Sequence, residues 1–387
     1  MVKKIQQLSQ NILVFLSRTD LFFYAMLWLM VLLFIGTVNQ KFIGLYAAQE
    51  AYFSGNIVWL FDFFPMPGGM VTMGVVLVGL CAKLWLEEWT YNKLGTIVIH
   101  VAVMMLLFGG FLTARYTTEG NMQIVEGQRS NYISDYYDIE FVIRKLPNGQ
   151  TGKATELVFR QGWLTPGLVL KHDLLPFEIE VTDYCHNCAA VSRGDDENIN
   201  LETPLRSSAQ FLQLTALPRE KEEEANHSGL SFNITGVNAI TDGLYMVFEF
   251  IPVLPEIKTN AATYQFEIRH KRTYLPFSVE LKDFEKQVYS ATNMAKSYQS
   301  DVILHDGDKQ WRSLIQMNEP LRYKGYTFFQ SSFIQSPQQE TTILAVVKNV
   351  GRLFPYISSI LLCIGLLIHL FQRVPDLMRR LKAGDEG

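Results

Sequence analysis

Four stretches of this 387-residue chain are apolar for long enough to cross a hydrocarbon layer, and they decide where the rest of it can lie. A layer of roughly 30 Å needs about twenty apolar residues at helical rise. Leu21–Val38 meets that need with no charge between Asp20 and Lys41. Met70–Leu86 tolerates Lys83 near its end, where a long amine can snorkel to the headgroups. Leu94–Ala114 contains His100 as its single ionisable residue, and Leu353–Phe371 is bounded by Arg352 and Arg373. The first run is too long for a signal-peptide core and ends in Gly36-Thr37-Val38-Asn39-Gln40 without a small-x-small cleavage site. It therefore reads as a retained helix.

Basic residues set the expected sidedness. Lys3, Lys4 and Arg18 precede the first helix, and Arg373, Arg379, Arg380 and Lys382 follow the last, so both tails favour the cytoplasm. The expected layout is a tail over 1–20, helices over 21–38, 70–86, 94–114 and 353–371, an aromatic outer loop over 39–69, and a cytoplasmic turn over 87–93. Residues 115–352 then form an extracytoplasmic domain and 372–387 a cytoplasmic tail. The fold class is a membrane α-helical protein with four transmembrane helices and a large mainly-β domain inserted between the third and fourth. The implied location is a bacterial cytoplasmic (inner) membrane. The net charge of −4 points to no partner; the acidic runs Asp195–Glu197 and Glu220–Glu224 read as solvated loops, and no basic patch interleaved with aromatics suggests nucleic acid.

From Met122 the pattern changes to short alternating runs. Asp138–Arg144 and Tyr264–Arg269 alternate with period two, as half-buried strands do, between turn signals such as Pro147-Asn-Gly149 and Asp306-Gly307. Leu175-Pro-Phe-Glu-Ile-Glu-Val-Thr-Asp-Tyr184 returns as Leu275-Pro-Phe-Ser-Val-Glu-Leu-Lys-Asp-Phe284, with five of ten residues identical. This predicts two related β units, each opening on an edge strand after a proline; two copies do not make a solenoid. In the first outer loop the aromatics around Ile57–Phe64 read as an anchor in the membrane interface, or as a lining for a flat hydrophobic ligand.

Several stretches together resemble the ResB (CcsB) family of System II cytochrome c maturation. Gly36-Thr37-Val38-Asn39-Gln40 is similar to the family's G-T-x-x-Q motif, Lys93–Val101 with Gly109-Gly110 to its third helix, and Glu119–Gly127 to the strand that follows. Tyr298-Gln-Ser-Asp-Val302, Met317-Asn-Glu-Pro-Leu-Arg-Tyr-Lys-Gly-Tyr326 and Phe329-Gln-Ser-Ser-Phe333 are similar in order and spacing to its S-D-V, N-x-P-L-R-Y-x-G and F-Y-Q-S-S-Y elements. Phe329 and Phe333 stand where the family commonly has tyrosine. The resemblance implies a subunit handling transient haem b beside a CcsA (ResC) partner that carries a tryptophan-rich loop, with apocytochrome c as client and a thiol-disulfide oxidoreductase as a further partner. It implies a non-catalytic or co-catalytic role in the synthase. A scaffold without haem, a quinone-coupled cytochrome b subunit and a ligand-sensing receptor are the alternatives; the cytochrome b reading calls for paired deep histidines, and only His100 is deep here.

His100 is the sharpest site candidate. It lies five residues past Gly95, about 7–8 Å along the helix, at a depth where an ionisable group is expensive. A neutral imidazole there offers a lone pair to haem iron, or bonds a neighbouring helix. The family's intramembrane ligand histidine implies the first. His369, near the inner end of the last helix, is either a second ligand or an interfacial histidine facing water or headgroups. Arg322 holds a haem propionate or bridges the outer domain to the helices. Cys185-His-Asn-Cys188 is a CxxC that lacks the following histidine of a c-type attachment site, since Ala189 stands there. It reads as a redox pair, a local disulfide or a free pair, and only weakly as zinc. Cys81 and Cys363 read as packing residues, and His172, His227, His270 and His305 as surface or strand histidines.

Overall fold

The computed structural model describes residues 2–60, 63–147, 154–194, 203–288, 295–336 and 339–384. The turn residues Asn148 and Gly149 and the acidic run Asp195–Glu197 lie outside them. By packing, the chain divides into two units: Met1–Thr118 with Arg322–Thr327 and Val347–Gly387, and Glu119–Leu321 with Phe328–Val346.

The first unit is built on helices α1 (Val2–Leu16), α2 (Thr19–Ile43), α3 (Leu45–Gln49), α4 (Gly69–Leu86), α5 (Leu94–Tyr116) and α6 (Phe354–Gly384). Thr19–Ile43, Gly69–Leu86, Tyr91–Tyr116 and Phe354–Pro375 are long and apolar enough to cross a membrane. Helix α2 runs on past Val38, with the Thr37 hydroxyl donating back to the Leu33 carbonyl at 2.7 Å, and it stops at Gly44, whose φ is 85°. The Gly36–Gln40 motif acquires a role here. A Cβ on Gly36 would stand 2.8 Å from the Phe53 ring, and Asn39 Nδ2 donates to the Tyr52 hydroxyl at 2.8 Å. The aromatic segment forms a hairpin, β1 (Ile57–Leu60) with β2 (Phe64–Pro67). Alternating aromatics suit a two-stranded ribbon, and Trp28 Nε1 ties its end to α2 by donating to the Pro67 carbonyl at 2.7 Å.

Helices α5 and α6 run antiparallel along a seam of small residues. A Cβ on Gly95 would sit 2.5 Å from the His369 backbone nitrogen, one on Gly365 2.9 Å from that of Ile99, and one on Gly109 2.2 Å from Phe354 Cβ. Close backbone approach of this kind is how helices pack where no hydrophobic effect separates protein from lipid. At the far end of the seam the Thr113 hydroxyl donates to Asn349 Oδ1 at 3.0 Å.

The second unit is made of strands. In chain order they are β3 (Thr118–Val125), β4 (Arg129–Pro147), β5 (Thr155–Arg160), β6 (Val169–Leu170), β7 (Glu178–Cys185), β8 (Cys188–Ser192), β9 (Leu212–Ala216), β10 (Gly229–Thr235) and β11 (Gly243–Phe248). They continue with β12 (Glu256–Lys258), β13 (Ala262–Val288), β14 (Ala295–Asp306), β15 (Lys309–Gln316), β16 (Leu321–Tyr323), β17 (Tyr326–Ser336) and β18 (Gln339–Lys348). A ten-stranded sheet runs β15-β14-β13-β4-β3-β18-β17-β16, with β12 on β13 and β5 on β4. A four-stranded sheet runs β11-β10-β7-β6, and β8 pairs with β9. Side chains from the two larger sheets meet in one core: Phe141 and Phe266 lie 5.2 Å from Phe232, centroid to centroid. This is sandwich packing.

Two expectations are corrected. The echoed segments are not edges: β7 pairs with both β6 and β10, and the segment 275–284 belongs to β13, which pairs with β4 and β14. What the echo shares is an inward face, since Leu175, Phe177, Ile179 and Val181 are buried and so are Leu275, Phe277, Val279 and Leu281. Pro276 falls in a register irregularity between Tyr274 and Val279, where a missing N–H is tolerated. Nor is the 138–144 stretch half-buried. Ile139 through Ile143 are all buried, because Glu140 on the outer face is covered by Arg269, whose Nε donates to it at 2.9 Å while Nη2 donates to Glu156 at 2.9 Å.

The seam makes neighbouring glycines unequal. Nothing lies within 4 Å of a Cβ on Gly110, whereas Gly109 faces Phe354. Gly109→Leu is expected to destabilise the helical unit by about 1–3 kcal/mol, the usual penalty of overpacking, and Gly110→Leu to be near neutral. Thermal unfolding of both variants in the same detergent checks this; equal midpoints would contradict the seam.

Candidate functional site

Helix α5 presents a histidine whose protonation pattern its own backbone decides. His100 Nδ1 lies 2.7 Å from the Thr96 carbonyl oxygen one turn earlier. A carbonyl only accepts, so Nδ1 carries the hydrogen and the neutral ring keeps its lone pair on Nε2. An imidazole fixed in this way through its other nitrogen is oriented for ligation.

His100 lines a cavity of about 280 Å³ between the end of α1, the start of α2, and α4 and α5. Phe22, Val76, Leu80, Ile99 and Val103 supply apolar wall, and Arg18 and Lys83 supply cations. Gly79 makes room for the chain between α1 and α2, since a Cβ there would stand 2.8 Å from the Leu16 carbonyl oxygen. Arg18 also pairs with Asp20 at 2.6 Å and Lys83 with Glu87 at 3.6 Å. A smaller recess of about 40 Å³, walled by Lys83, Glu87, Lys93 and Thr96, reaches His100 from another side. The chemistry fits a flat apolar macrocycle with carboxylates along one edge: a nitrogen lone pair, greasy walls and two cations. The volume is at the lower limit of small-molecule pockets, about 300–1,000 Å³, so such a ring would stand partly outside the slot. Sequence reading took Arg18 as a topology signal and Lys83 as a snorkelling amine; the position of Lys83 inside an apolar run was the clue to a site.

His369 is half-buried against α5, with Nδ1 3.3 Å from the Thr96 hydroxyl, which corrects the reading of an interfacial histidine turned to water or headgroups. Thr96 thus touches both histidines, its carbonyl holding His100 and its hydroxyl meeting His369. His369 is not among the residues lining the His100 cavity. Arg322 is exposed on β16, lines neither space beside His100 and makes no ion pair among the described residues.

Cys185 and Cys188 form a disulfide across the turn between β7 and β8, and both are buried. The segment 217–228 is bonded to the turn that joins them, and the His227 carbonyl accepts from the Cys188 amide at 2.8 Å. His186 Nε2 pairs with Glu223, Asn187 Nδ2 donates to the Pro218 carbonyl at 2.7 Å, and the Leu217 amide donates to the Asn187 carbonyl at 2.8 Å. Glu223 is only 8 % exposed, so the acidic run Glu220–Glu224 is not wholly the solvated loop expected. Among the described residues no group of three or more His, Cys, Asp or Glu is arranged to hold a metal ion. His270 and His305 are strand histidines, as expected, and both meet carboxylates: His270 Nε2 on β13 lies 2.9 Å from Glu249, and His305 Nε2 on β14 lies 2.6 Å from Glu280.

The resemblance motifs fold into one buried polar knot. Ser300 on β14 donates to Gln330 Oε1 on β17 at 2.6 Å, and Gln330 Nε2 donates to the Thr342 hydroxyl on β18 at 2.9 Å. Phe277 packs on Phe328 and Phe284 on Phe333, so β13 and β14 face β17 and β18 although they are not neighbours in the sheet. The knot closes a curled sheet.

Residues 237–344 match the ResB-like family. Protein NrfI of Wolinella succinogenes is 37% identical over 98 residues, a stretch that covers 25% of this chain and 11% of that protein.

Glu280 and His305 lie inside the matched stretch and give it an acid dependence. Hydrogen bonds from Lys282, then Arg129 and His305, hold the Glu280 carboxyl down at about 2 against an ordinary 4.5, with burial opposing. A depressed carboxyl contributes stability above its unfolded value, lost as pH falls from about 4.5 through about 2. For His270, a hydrogen bond to Glu249 raises the pKa against burial, so its contribution is full below 6.5 and is lost as pH rises through the folded value. Melting temperature followed across pH is expected to show both slopes. Glu280→Gln should flatten the acid limb and Glu249→Gln the neutral one, each leaving the other unchanged.

Proposed function

We propose that this chain, a member of the ResB-like family, is a membrane subunit of cytochrome c biogenesis that holds haem through His100. The observation that carries the reading is the Thr96 carbonyl fixing Nδ1–H of His100, which leaves Nε2 with its lone pair beside an apolar slot bearing Arg18 and Lys83. Helices α2, α4, α5 and α6 span the membrane in this reading, and the strand-rich unit works on the extracytoplasmic side with a CcsA-type partner and apocytochrome c.

Each residue has a task in that reading. Thr96 keeps the His100 ring in one tautomer and one orientation. Apolar side chains on α2, α4 and α5 exclude water from the slot, which strengthens every charged contact inside it. Arg18 and Lys83 receive carboxylates, and releasing their present partners Asp20 and Glu87 is the accompanying exchange. When bound, haem supplies an iron that accepts the imidazole nitrogen and vinyl groups to which cysteine thiols are joined. No residue of this chain is assigned to that joining, which the proposal gives to the partner. The competing reading is a scaffold without haem, and the 280 Å³ of the slot is the observation in its favour.

The test is to co-express the chain with its CcsA-type partner, purify the complex, and record haem content and absorption spectrum. His100→Ala is expected to lose haem at least tenfold, with recovery of the spectrum on adding imidazole. Arg18→Gln and Lys83→Gln should each weaken retention by roughly ten- to a hundredfold, as loss of a charged hydrogen bond does. Unchanged haem content and spectrum in His100→Ala would leave the scaffold reading standing.

A further inference from the structure

The Cys185–Cys188 bond is a poor staple and a well-covered one. Cross-linking stabilises a fold in proportion to the loop it closes, and a sequence separation of 3 lies at the bottom of that scale. Its sulfurs are nevertheless buried, with Cys185 at 6 % and Cys188 at 3 % exposure. The turn between them, His186-Asn187, is held to the strap 217–228, which contains no strand and one short 3₁₀ turn, Glu223–Ala225. Polar contacts hold it: the His186–Glu223 pair, the two Asn187 backbone contacts, and Arg219, whose guanidinium meets the same Glu223 at 3.0 Å. Its single large apolar side chain among these contacts, Leu217, is 47% exposed. A strap with so little apolar burial, whose groups water can satisfy, opens at far lower free energy than the sheets beneath it.

We propose that Cys185–Cys188 is a dithiol–disulfide exchange site, shut by the strap 217–228 and opened by release of the His186–Glu223 clip. Its substrate is a dithiol, two cysteine thiols close together on a polypeptide. One substrate thiolate attacks a sulfur of the Cys185–Cys188 bond, which breaks as the mixed disulfide forms, and the departing thiolate takes up a proton. The second substrate thiolate attacks the mixed disulfide and displaces the remaining cysteine. Two electrons pass from substrate to this chain, the substrate ends as a disulfide, and its two protons end on Cys185 and Cys188. Arg219, bonded to Glu223, brings a cation to the strap beside the turn, a setting in which CxxC thiolates are favoured. The inference does not depend on haem binding.

The full chain in detergent, with Cys81 and Cys363 first blocked by N-ethylmaleimide, is treated with dithiothreitol. Alkylation of Cys185 and Cys188 is followed by mass spectrometry, and trypsin cleavage after Arg219 and Lys221 in parallel. Reduction is expected to speed cleavage at these two positions roughly tenfold while sites in the paired strands stay protected. Glu223→Gln should speed reduction of the disulfide by a similar factor without moving the thermal midpoint, the loss of one charged hydrogen bond in the closed state. Equal reduction rates in the wild type and Glu223→Gln would overturn the gate. Alkylation appearing only when the whole domain becomes cleavable would show a static staple and overturn the exchange site.

Discussion

The bond from His100 Nδ1 to the Thr96 carbonyl is the contact on which the candidate site depends, and the close approach of α5 to α6 brings a second histidine to the same threonine. Gly95, Gly109 and Gly365 let the two backbones come within side-chain-free distance, and that proximity brings the His369 ring to the Thr96 hydroxyl. Thr96 then meets one histidine through its carbonyl and the other through its hydroxyl. In an apolar surround, where each unsatisfied polar group is expensive, a threonine satisfied twice is a fixed point. His100 inherits its ring orientation from that point. The lone pair left on Nε2 follows from hydrogen-bond chemistry alone.

The helices were legible because an apolar run of twenty residues has few alternatives. Their ends were less so: α2 continues through the polar Asn39 and Gln40, Asn39 donating to the Tyr52 hydroxyl, and a contact of this kind leaves no hydropathy signal. The hairpin at Ile57–Pro67 was hidden by composition, since aromatic residues suit a membrane interface and a β-ribbon equally well. His100 stood out as the single ionisable group in a long apolar run. Arg18 did not, because its role depends on a chain turn that brings α1 back against Gly79.

In the strand-rich unit the pattern of polar residues misled for one reason: polar was taken to mean exposed. Glu140 and Arg269 are both buried because each answers the other, and Ser300, Gln330 and Thr342 are buried because they answer one another. Period-two alternation reports only which face is greasy. It is silent about whether the other face is wet or covered by a charge network. Two of the motifs that carry the family resemblance, through Ser300 and through Gln330 with Phe333, thus help to close a curled sheet, with Phe277, Phe284 and Phe328 packing beside the polar knot.

The same unit contains two kinds of buried polar arrangement, and their difference decides where it can move. The Ser300 knot joins three strands, so opening it means breaking ladders on β14, β17 and β18 together. The His186–Glu223 clip joins a two-residue turn to a strap outside every sheet, and opening it breaks side-chain contacts and a few amide bonds only. Burial alone does not distinguish the two, since the Glu223 side chain and Gln330 are both largely covered. Connectivity does. A buried group tied into sheet ladders shares the free energy of the domain, whereas one tied to a strap opens with the strap, and the disulfide beneath it belongs to the second class.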